Sequence, residues 1–287
     1  MNAPATTPLS RRTAVRLGTG GLAALAARGR ASAVAQEATP AEQSGRTTFV
    51  LVHGGNAGAW IWRDLIRLLR TAGHDVYATT ATGLGDRAHL ATAEIDLDVY
   101  ITDVVNLLEY EDLHDVTLVG WSFGGMIITG VAEQVPERLA QLAYLDATLP
   151  QDGQSHYDAQ GFTDEVIGAD YRAGAEAGMP GFDAITPGLE EWIRGSLKDP
   201  AVADWVLSKL VPQSLLTWLQ PVRLGNPAAA ALPRVYIFCT KDPFESSARN
   251  AERVRSDPNW RVVELADNHL APINNPQATA DALVSLV

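Results

Sequence analysis

The chain of 287 residues is 46% hydrophobic and 20% charged, which fits one large domain, or a domain with an insertion, around a full core. Its formal net charge of −12 argues against nucleic-acid binding, because phosphate recognition needs clustered lysine and arginine. The single cysteine, Cys239, excludes an internal disulfide. The sequence contains no uninterrupted run of 18 apolar residues, so no membrane-spanning helix is expected.

The first 35 residues are typical of a secretory signal peptide. Arg11 and Arg12 form a twin-arginine start, and the apolar stretch 17–27 that follows is too short to span a bilayer. We therefore expect residues 1–35 to direct export to the periplasm or the medium, and residues 36–45 to form a linker before the folded domain.

The expected cleavage points follow Ala33 and Ala35, where small residues are clustered. Ala14 departs from the usual twin-arginine pattern, which has a large apolar or aromatic residue at this place. If the segment is instead a disordered basic tail, the protein stays in the cytoplasm.

From residue 46 to the end, short apolar runs alternate with amphipathic helical patterns. The runs with little polar alternation, which predict strands buried on both faces, are 49–52, 76–78, 116–119, 142–145, 235–239 and 262–265. Helical periodicity covers 59–72 and 97–110, and Asn275 followed by Pro276 is a typical start for a last helix. The alternation predicts an α/β fold with a doubly wound, mainly parallel sheet.

One segment interrupts this alternation between the fourth and fifth predicted strands. It is too long and too apolar for a loop, so we expect a helical cap at about 148–225, inserted before the penultimate strand. Its large apolar side chains are candidates for a pocket wall as well as for the core of the cap: Tyr157, Phe162, Met179, Phe182, Trp192, Trp205 and Trp218.

The third predicted strand runs into the sequence "GWSFGG", which places Ser122 between glycines. A G-x-S-x-G pattern after a strand and before a helix is typical of a nucleophile elbow, in which the serine hydroxyl is exposed on a sharp turn above the sheet. The same residues also suit a tight structural turn. The choice depends on whether the chain supplies partners for the serine.

A serine nucleophile needs a base, and a carboxylate that orients the base, at the carboxyl ends of other strands. Only His156 and His269 follow Ser122, and His269 comes directly after the last strand, whereas His156 falls in the cap. For the carboxylate we favour Asp242, after the fifth strand. Asp146, after the fourth, is the alternative, although it suits a carboxylate that binds loop amides.

Two backbone N–H groups are expected to hold the oxyanion. The first belongs to Phe123, which follows the nucleophile at the start of a helix, and the second to Gly55 in the glycine turn after the first strand. His53, in the same turn, is expected to be structural. The chain therefore offers a base, a carboxylate and two oxyanion donors at the places that a serine nucleophile needs. This agreement favours the nucleophile elbow over the structural turn.

The chain resembles the α/β-hydrolases over residues 46–287, and within them the branch of plant hydroxynitrile lyases and methylesterases with its bacterial relatives. The resemblance is carried by "FVLVHGG", "GAWIW", "TGLGDRAHL", "VTLVGWSFGG", "LAYLDATLP", "PQSLLTWLQP", "VYIFCTKD" and "WRVVELADNH". It implies Ser122, Asp242 and His269 as a catalytic triad, with Gly55 and Phe123 as oxyanion donors.

The chain departs from this branch at two positions. Trp121 replaces the histidine that often precedes the nucleophile, and it is a candidate pocket residue together with Asn56. Leu270 stands where the lyases have a lysine that stabilises departing cyanide, so lyase activity is not expected.

The sequence therefore predicts a serine carboxylic-ester hydrolase that acts on a small-molecule ester through an acyl-enzyme. No metal cluster, phosphate loop or dinucleotide pattern occurs, so no metal or other cofactor is expected. The alternatives are the same triad acting on an amide, lactone or carbamate, and a ligand-binding or sensor relative with slow turnover.

Overall fold

The structure is a computed structural model that describes residues 45–163, 169–179, 181 and 187–287. Within these residues six strands form one sheet: β1 (Thr48–Val52), β2 (Asp75–Thr79), β3 (Val116–Trp121), β4 (Leu139–Leu145), β5 (Arg234–Cys239) and β6 (Trp260–Leu265). Each of the six runs predicted from the sequence lies within one of these strands. The predicted signal peptide and nearly all of the predicted linker lie outside the described residues, as does Phe182.

All neighbouring strands pair in parallel, in the order β2-β1-β3-β4-β5-β6. The order reverses direction between β1 and β3, as in a doubly wound sheet, and the carboxyl ends of all strands meet at one edge. The predicted fold class is confirmed. The edge formed by β3, β4, β5 and β6 is where the candidate site lies.

The helices of the described residues are α1 (Arg63–Thr71), α2 (Leu97–Tyr110), α3 (Gly124–Gln134), α4 (His156–Gln160), α5 (Ala169–Glu176), α6 (Pro187–Ser196), α7 (Pro200–Leu207), α8 (Leu215–Leu219), α9 (Pro227–Ala231), α10 (Glu245–Arg255), α11 (Ala271–Asn274) and α12 (Pro276–Val284). The α2 helix has the predicted bounds. The last helix begins as predicted, because the Asn275 side chain accepts a hydrogen bond from the Ala278 N–H and Pro276 occupies the first turn.

Apolar side chains cover both faces of the sheet. Along β1, Val50 and Val52 pack in one cluster with α2 and α3, whereas the alternating Phe49 and Leu51 pack in a second cluster with α1 and α12. This alternation explains why the central strands β1 and β3 read as continuous apolar runs, since neither of their faces meets water.

The segment between β4 and β5 contributes helices and no strand among its described residues, as expected for a cap before the penultimate strand. Helices α4 and α5 pack on α8, and α6 packs on α7. The helices in the described part of the chain include none with the length and hydrophobicity needed to cross a membrane.

Candidate active site

Ser122 lies at the turn between β3 and α3 with a φ of 55°, a left-handed conformation that a residue other than glycine rarely adopts. The turn is held by its neighbour strand, because the Ser122 N–H donates to the Leu145 carbonyl oxygen at 3.3 Å and the Thr148 N–H donates to the Ser122 carbonyl oxygen at 2.9 Å. A strained serine fixed in this way has the geometry of a nucleophile elbow.

The glycines beside Ser122 are required by close backbone contacts. A Cβ at Gly120 would lie 2.6 Å from the Gly124 carbonyl oxygen, and a Cβ at Gly124 would lie 2.6 Å from the Val52 carbonyl oxygen. Because real Cβ atoms do not approach so closely, any side chain at either position would force the strand and the helix apart. The G-x-S-x-G pattern therefore reflects packing as well as the turn.

His269 forms a buried pair with Asp146. The His269 Nδ1 lies 2.6 Å from Asp146 Oδ2, and the second carboxylate oxygen accepts the Cys239 N–H at 3.3 Å. Asp146 is 1% exposed and His269 is 7% exposed. Such a carboxylate fixes the proton on Nδ1, which leaves Nε2 unprotonated and able to accept a proton.

The pair corrects the carboxylate assignment made from the sequence, which favoured Asp242. Asp242 lies three residues beyond the end of β5, and its side chain is exposed. The chain first continues beside β6, through hydrogen bonds from the Thr240 N–H to Leu265 and from the Lys241 N–H to Asp267. Asp146 instead follows β4 directly and lies next to the elbow.

Gly55 and Phe123, the two predicted oxyanion donors, line one cavity with Ser122 and His269. Neither of their backbone N–H groups donates to a protein acceptor within the described part of the chain. No hydrogen bond joins the side chains of Ser122 and His269 in the described residues, and such contacts often tighten only when substrate binds.

The turn that contains Gly55 is held by the cap. Gln213, which is 2% exposed, accepts the Asn56 N–H at 3.0 Å through Oε1 and donates to Thr217 Oγ1 at 2.7 Å. The Asn56 side chain donates to the Val211 carbonyl oxygen at 3.0 Å. Asn56, predicted as a pocket residue, does line the cavity, but its polar atoms are used to join the turn to the cap.

Trp121, the other predicted pocket residue, also lines the cavity and contacts the histidine loop. Its indole N–H donates to the His269 carbonyl oxygen at 2.8 Å, and its ring centroid lies 5.1 Å from that of His269. The indole therefore fills the site beside the serine and anchors the backbone of His269.

The cavity has a volume of about 720 Å³ and is bounded by the elbow on one side and by the cap on the other. Of the cap residues proposed for a pocket wall, Phe162, Trp192 and Trp218 line it. Among the others, Met179 is exposed, and Trp205 packs edge-on against Trp60 at a centroid distance of 5.1 Å. The cap therefore contributes aromatic side chains to a wall that also contains aliphatic and polar ones, such as Ile193 and Gln160.

Burial keeps two histidines near the site neutral. It lowers the pKa of His53 to about 4 and the pKa of His156 to about 3. His53 lies between the Gly54 carbonyl oxygen, 2.7 Å from Nδ1, and the Ala81 N–H, which donates to Nε2 at 3.0 Å. The two ring nitrogens of His53 therefore join the glycine turn to the segment after β2, as expected for a structural residue. The described residues contain no cluster of side chains suited to a metal ion.

The Alpha/beta hydrolase family matches residues 49–282, which include the elbow, the cap and the His269 loop. This chain belongs to the alpha/beta hydrolase family. It is 36% identical to the carbendazim hydrolyzing esterase of Nocardioides sp. (strain SG-4G), over 83% of this chain and 98% of that protein. It is 26% identical to polyneuridine aldehyde esterase of Rauvolfia serpentina, over 83% of this chain and 94% of that one.

Among solved structures, an extracellular alpha/beta-hydrolase from a Paenibacillus species matches with a TM-score of 0.67 and 24% identity, over 83% of this chain and 98% of that chain. This likeness shows the fold. Together the relatives confirm the predicted resemblance, and they confirm the prediction of a carboxylic-ester hydrolase within the alpha/beta hydrolase family.

Two residues of this alpha/beta hydrolase site were not singled out from the sequence. Gln213 lies in "PQSLLTWLQP", a stretch that contributed to the resemblance, but nothing in the pattern indicates that its amide reaches the glycine turn. His156 was set aside because no strand precedes it, although its ring lines the cavity. Asp146 did carry a signal, since it directly follows a buried strand.

Proposed function

We propose that the protein hydrolyses carboxylic esters through an acyl-enzyme on Ser122, with His269 as the general base and Asp146 as the carboxylate that orients it. The observation that supports this best is the strained elbow serine in one cavity with the buried His269–Asp146 pair. The contact of Asp146 with His269 Nδ1, and the shared cavity of His269 and Ser122, support these three roles.

In the first half-reaction the unprotonated Nε2 of His269 takes the hydroxyl proton as Ser122 Oγ bonds to the ester carbon. The N–H groups of Gly55 and Phe123 stabilise the oxyanion, and loss of one such donor typically costs about 3–4 kcal/mol. The ester C–O bond then breaks, and the departing alcohol receives the proton from His269. In the second half-reaction a water molecule repeats these steps and releases the acid.

A fluorophosphonate probe tests the nucleophile. We expect a single label on the protein and none on the Ser122→Ala variant, because only an activated serine reacts. Ser247→Ala is the matched control, since this buried serine lines the same cavity. Labelling that survives at Ser122→Ala would place the nucleophile at another residue.

Carbamates are a second candidate substrate class. A relative that is 36% identical is named for the hydrolysis of carbendazim, and a carbamate carbonyl can be attacked by the same serine. Steady-state rates with carbendazim, a heteroaryl methyl carbamate, beside a series of aryl and alkyl esters would rank the two classes.

Cyanohydrin cleavage is not part of the proposal. Leu270 is 3% exposed and presents an apolar side chain to the cavity, so it offers no positive charge to a departing cyanide ion. Efficient cleavage of mandelonitrile by the unchanged protein would contradict the assignment of a hydrolase activity rather than a hydroxynitrile lyase activity.

We also propose that residues 1–35 direct export by the twin-arginine route. The support is the sequence pattern itself, with Arg11 and Arg12 before a short apolar stretch. N-terminal sequencing of exported protein should find Val34 or Gln36 first, and the paired change of both arginines to lysine should block export.

A further inference from the structure

His156 is a buried histidine of the cavity wall that the proposed mechanism does not use. Its ring packs against two aromatic rings that also touch each other, Phe123 at a centroid distance of 4.9 Å and Trp218 at 4.5 Å. The side chain is 5% exposed, and burial lowers its pKa to about 3, so it is neutral at neutral pH. A neutral imidazole has one donor and one acceptor nitrogen, and its neighbours decide which is which.

A chain of hydrogen bonds assigns the proton. The Ser246 hydroxyl donates to Gln160 Oε1 at 2.6 Å, and Gln160 Nε2 donates to Thr148 Oγ1 at 2.9 Å. Thr148 Oγ1 lies 3.0 Å from His156 Nδ1. The Thr148 oxygen could accept a second hydrogen bond, but among the described residues Nδ1 is the only acceptor within reach of its own proton, so donation to Nδ1 is the arrangement that uses every donor. The proton of the imidazole is then on Nε2.

Nε2 is on the edge of the ring opposite Thr148, and no protein group in the described residues accepts a hydrogen bond from it. We propose that His156 is a specificity-determining residue whose Nε2–H donates a hydrogen bond to an acceptor atom of the substrate, away from the reacting carbonyl. This inference rests on the proposed ester hydrolysis at Ser122. It assigns the substrate class as aromatic esters that carry a second acceptor, such as a ring nitrogen.

The chemistry of the wall favours such a substrate. The aromatic rings of Phe162, Trp192 and Trp218 offer apolar contact to a flat group but no strong acceptor or donor at their faces. The Nε2–H of His156 beside these rings discriminates between substrates, because a donor left without a partner on binding costs more than the bond itself contributes. Substrates that lack the acceptor bind with the donor unpaired.

Two matched pairs of esters test the inference. Methyl benzoate against the methyl pyridinecarboxylates places the acceptor on the acyl side, and phenyl acetate against 3-pyridyl acetate places it on the alcohol side. For each pair we take the kcat/KM of the pyridyl ester divided by the kcat/KM of the phenyl ester. In at least one of the pairs, we expect this ratio to be about tenfold lower in His156→Phe than in the unchanged protein. Comparing ratios between enzymes removes the intrinsic reactivity of each ester.

Thr148→Val is a second variant that leaves the imidazole in place. It removes the hydroxyl that fixes the tautomer, and we expect it to lower the same ratio, whereas Thr148→Ser keeps the hydroxyl and the ratio. ¹⁵N NMR reports the tautomer directly, and the His156 signals are identified by their loss in His156→Phe. We expect the proton on Nε2 in the unchanged protein and a mixture of the two tautomers in Thr148→Val.

The outcomes separate this inference from the function on which it rests. Unchanged ratios in both variants, with ester turnover and Ser122 labelling intact, would overturn the role of His156 alone. A proton found on Nδ1 would overturn it too, since Nε2 would then be an acceptor. Absence of turnover with every ester, and of labelling at Ser122, would instead contradict the proposed function.

Discussion

The loops after β4 and β5 begin alike and end in different environments. Each leaves a buried parallel strand, and each contains an aspartate with a positive φ, 44° at Asp146 and 48° at Asp242. Asp146 is 1% exposed and binds His269, whereas Asp242 is exposed. A strand followed by an acid is therefore not enough to define a catalytic carboxylate. Burial and hydrogen bonds around the carboxylate distinguish the two.

The β4 loop is fixed by groups from its neighbours. The Asp146 N–H donates to the Ile237 carbonyl oxygen at 2.7 Å, and the Tyr236 hydroxyl donates to the Ala147 carbonyl oxygen at 3.0 Å. Arg253 donates to the Leu149 carbonyl oxygen at 2.6 Å. This loop lies between the elbow and β5, so its position sets that of the carboxylate.

The largest expected effect separates the two aspartates. Asp146→Asn should lower kcat by about 10⁴, because the amide no longer holds His269 in the productive tautomer, as in other triads. Asp242→Asn is the matched control in the neighbouring loop and should change kcat by less than about threefold. Both are measured by steady-state turnover, with circular dichroism to confirm folding. A larger loss at Asp242 would reverse the assignment of the carboxylate.

The second expected effect concerns the pH dependence of stability and its origin in His156, a buried residue of the cap that contacts Thr148 in the β4 loop. Burial lowers the pKa of His156 from 6.5 to about 3, so below pH 6.5 the unfolded chain binds a proton that the folded protein does not. The contribution of His156 to stability is therefore complete above about pH 6.5 and is lost as the pH falls. Between pH 8 and 5 the loss is about 2 kcal/mol.

His156→Phe removes this linkage, so the free energy of unfolding in urea should fall by about 2 kcal/mol less between pH 8 and 5 than it does for the unchanged protein. Asp242→Asn, in the exposed loop, serves as the control and should leave the pH dependence nearly as it is. An equal pH dependence in His156→Phe would mean that His156 is not buried as a neutral side chain.

The periodicity of the sequence was sufficient to predict the strands and the parallel sheet, because apolar runs are a direct consequence of burial on both faces. Ser122 and His269 were predictable because each lies at or just beyond the end of a strand. The partner of His269 was not, since "LAYLD" and "VYIFCTKD" both end in an aspartate. Which aspartate turns inward depends on the path of each loop after its strand.

The contacts of the cap were beyond sequence reasoning for a related reason. Gln213 is hydrogen-bonded to Asn56, which is 157 residues away in the sequence, and Gln160 is hydrogen-bonded to Ser246, which is 86 residues away. Helical periodicity predicts that a cap side chain is buried, but it carries no information about which distant polar group it meets. The positions of Gln213 and His156 become meaningful only when the cap is placed over the sheet.

The smallest expected effect tests how rigidly the β4 loop must be held. Burial raises the pKa of Tyr236, so its hydroxyl is protonated and donates to Ala147 throughout the working range. Tyr236→Phe removes this donor together with the hydrogen bonds of the hydroxyl to Ser247 and Asn250, and Asn250 Nδ2 remains 3.4 Å from the same carbonyl oxygen. We expect a loss of about 1 kcal/mol in the free energy of unfolding. The kcat should fall a few-fold with little change in KM, because Asp146 is held less firmly while the cavity wall is intact. Tyr77→Phe, on the outer strand β2, is the control and should alter neither value. A normal kcat in Tyr236→Phe, despite the lost stability, would show that Asp146 keeps its place without this anchor.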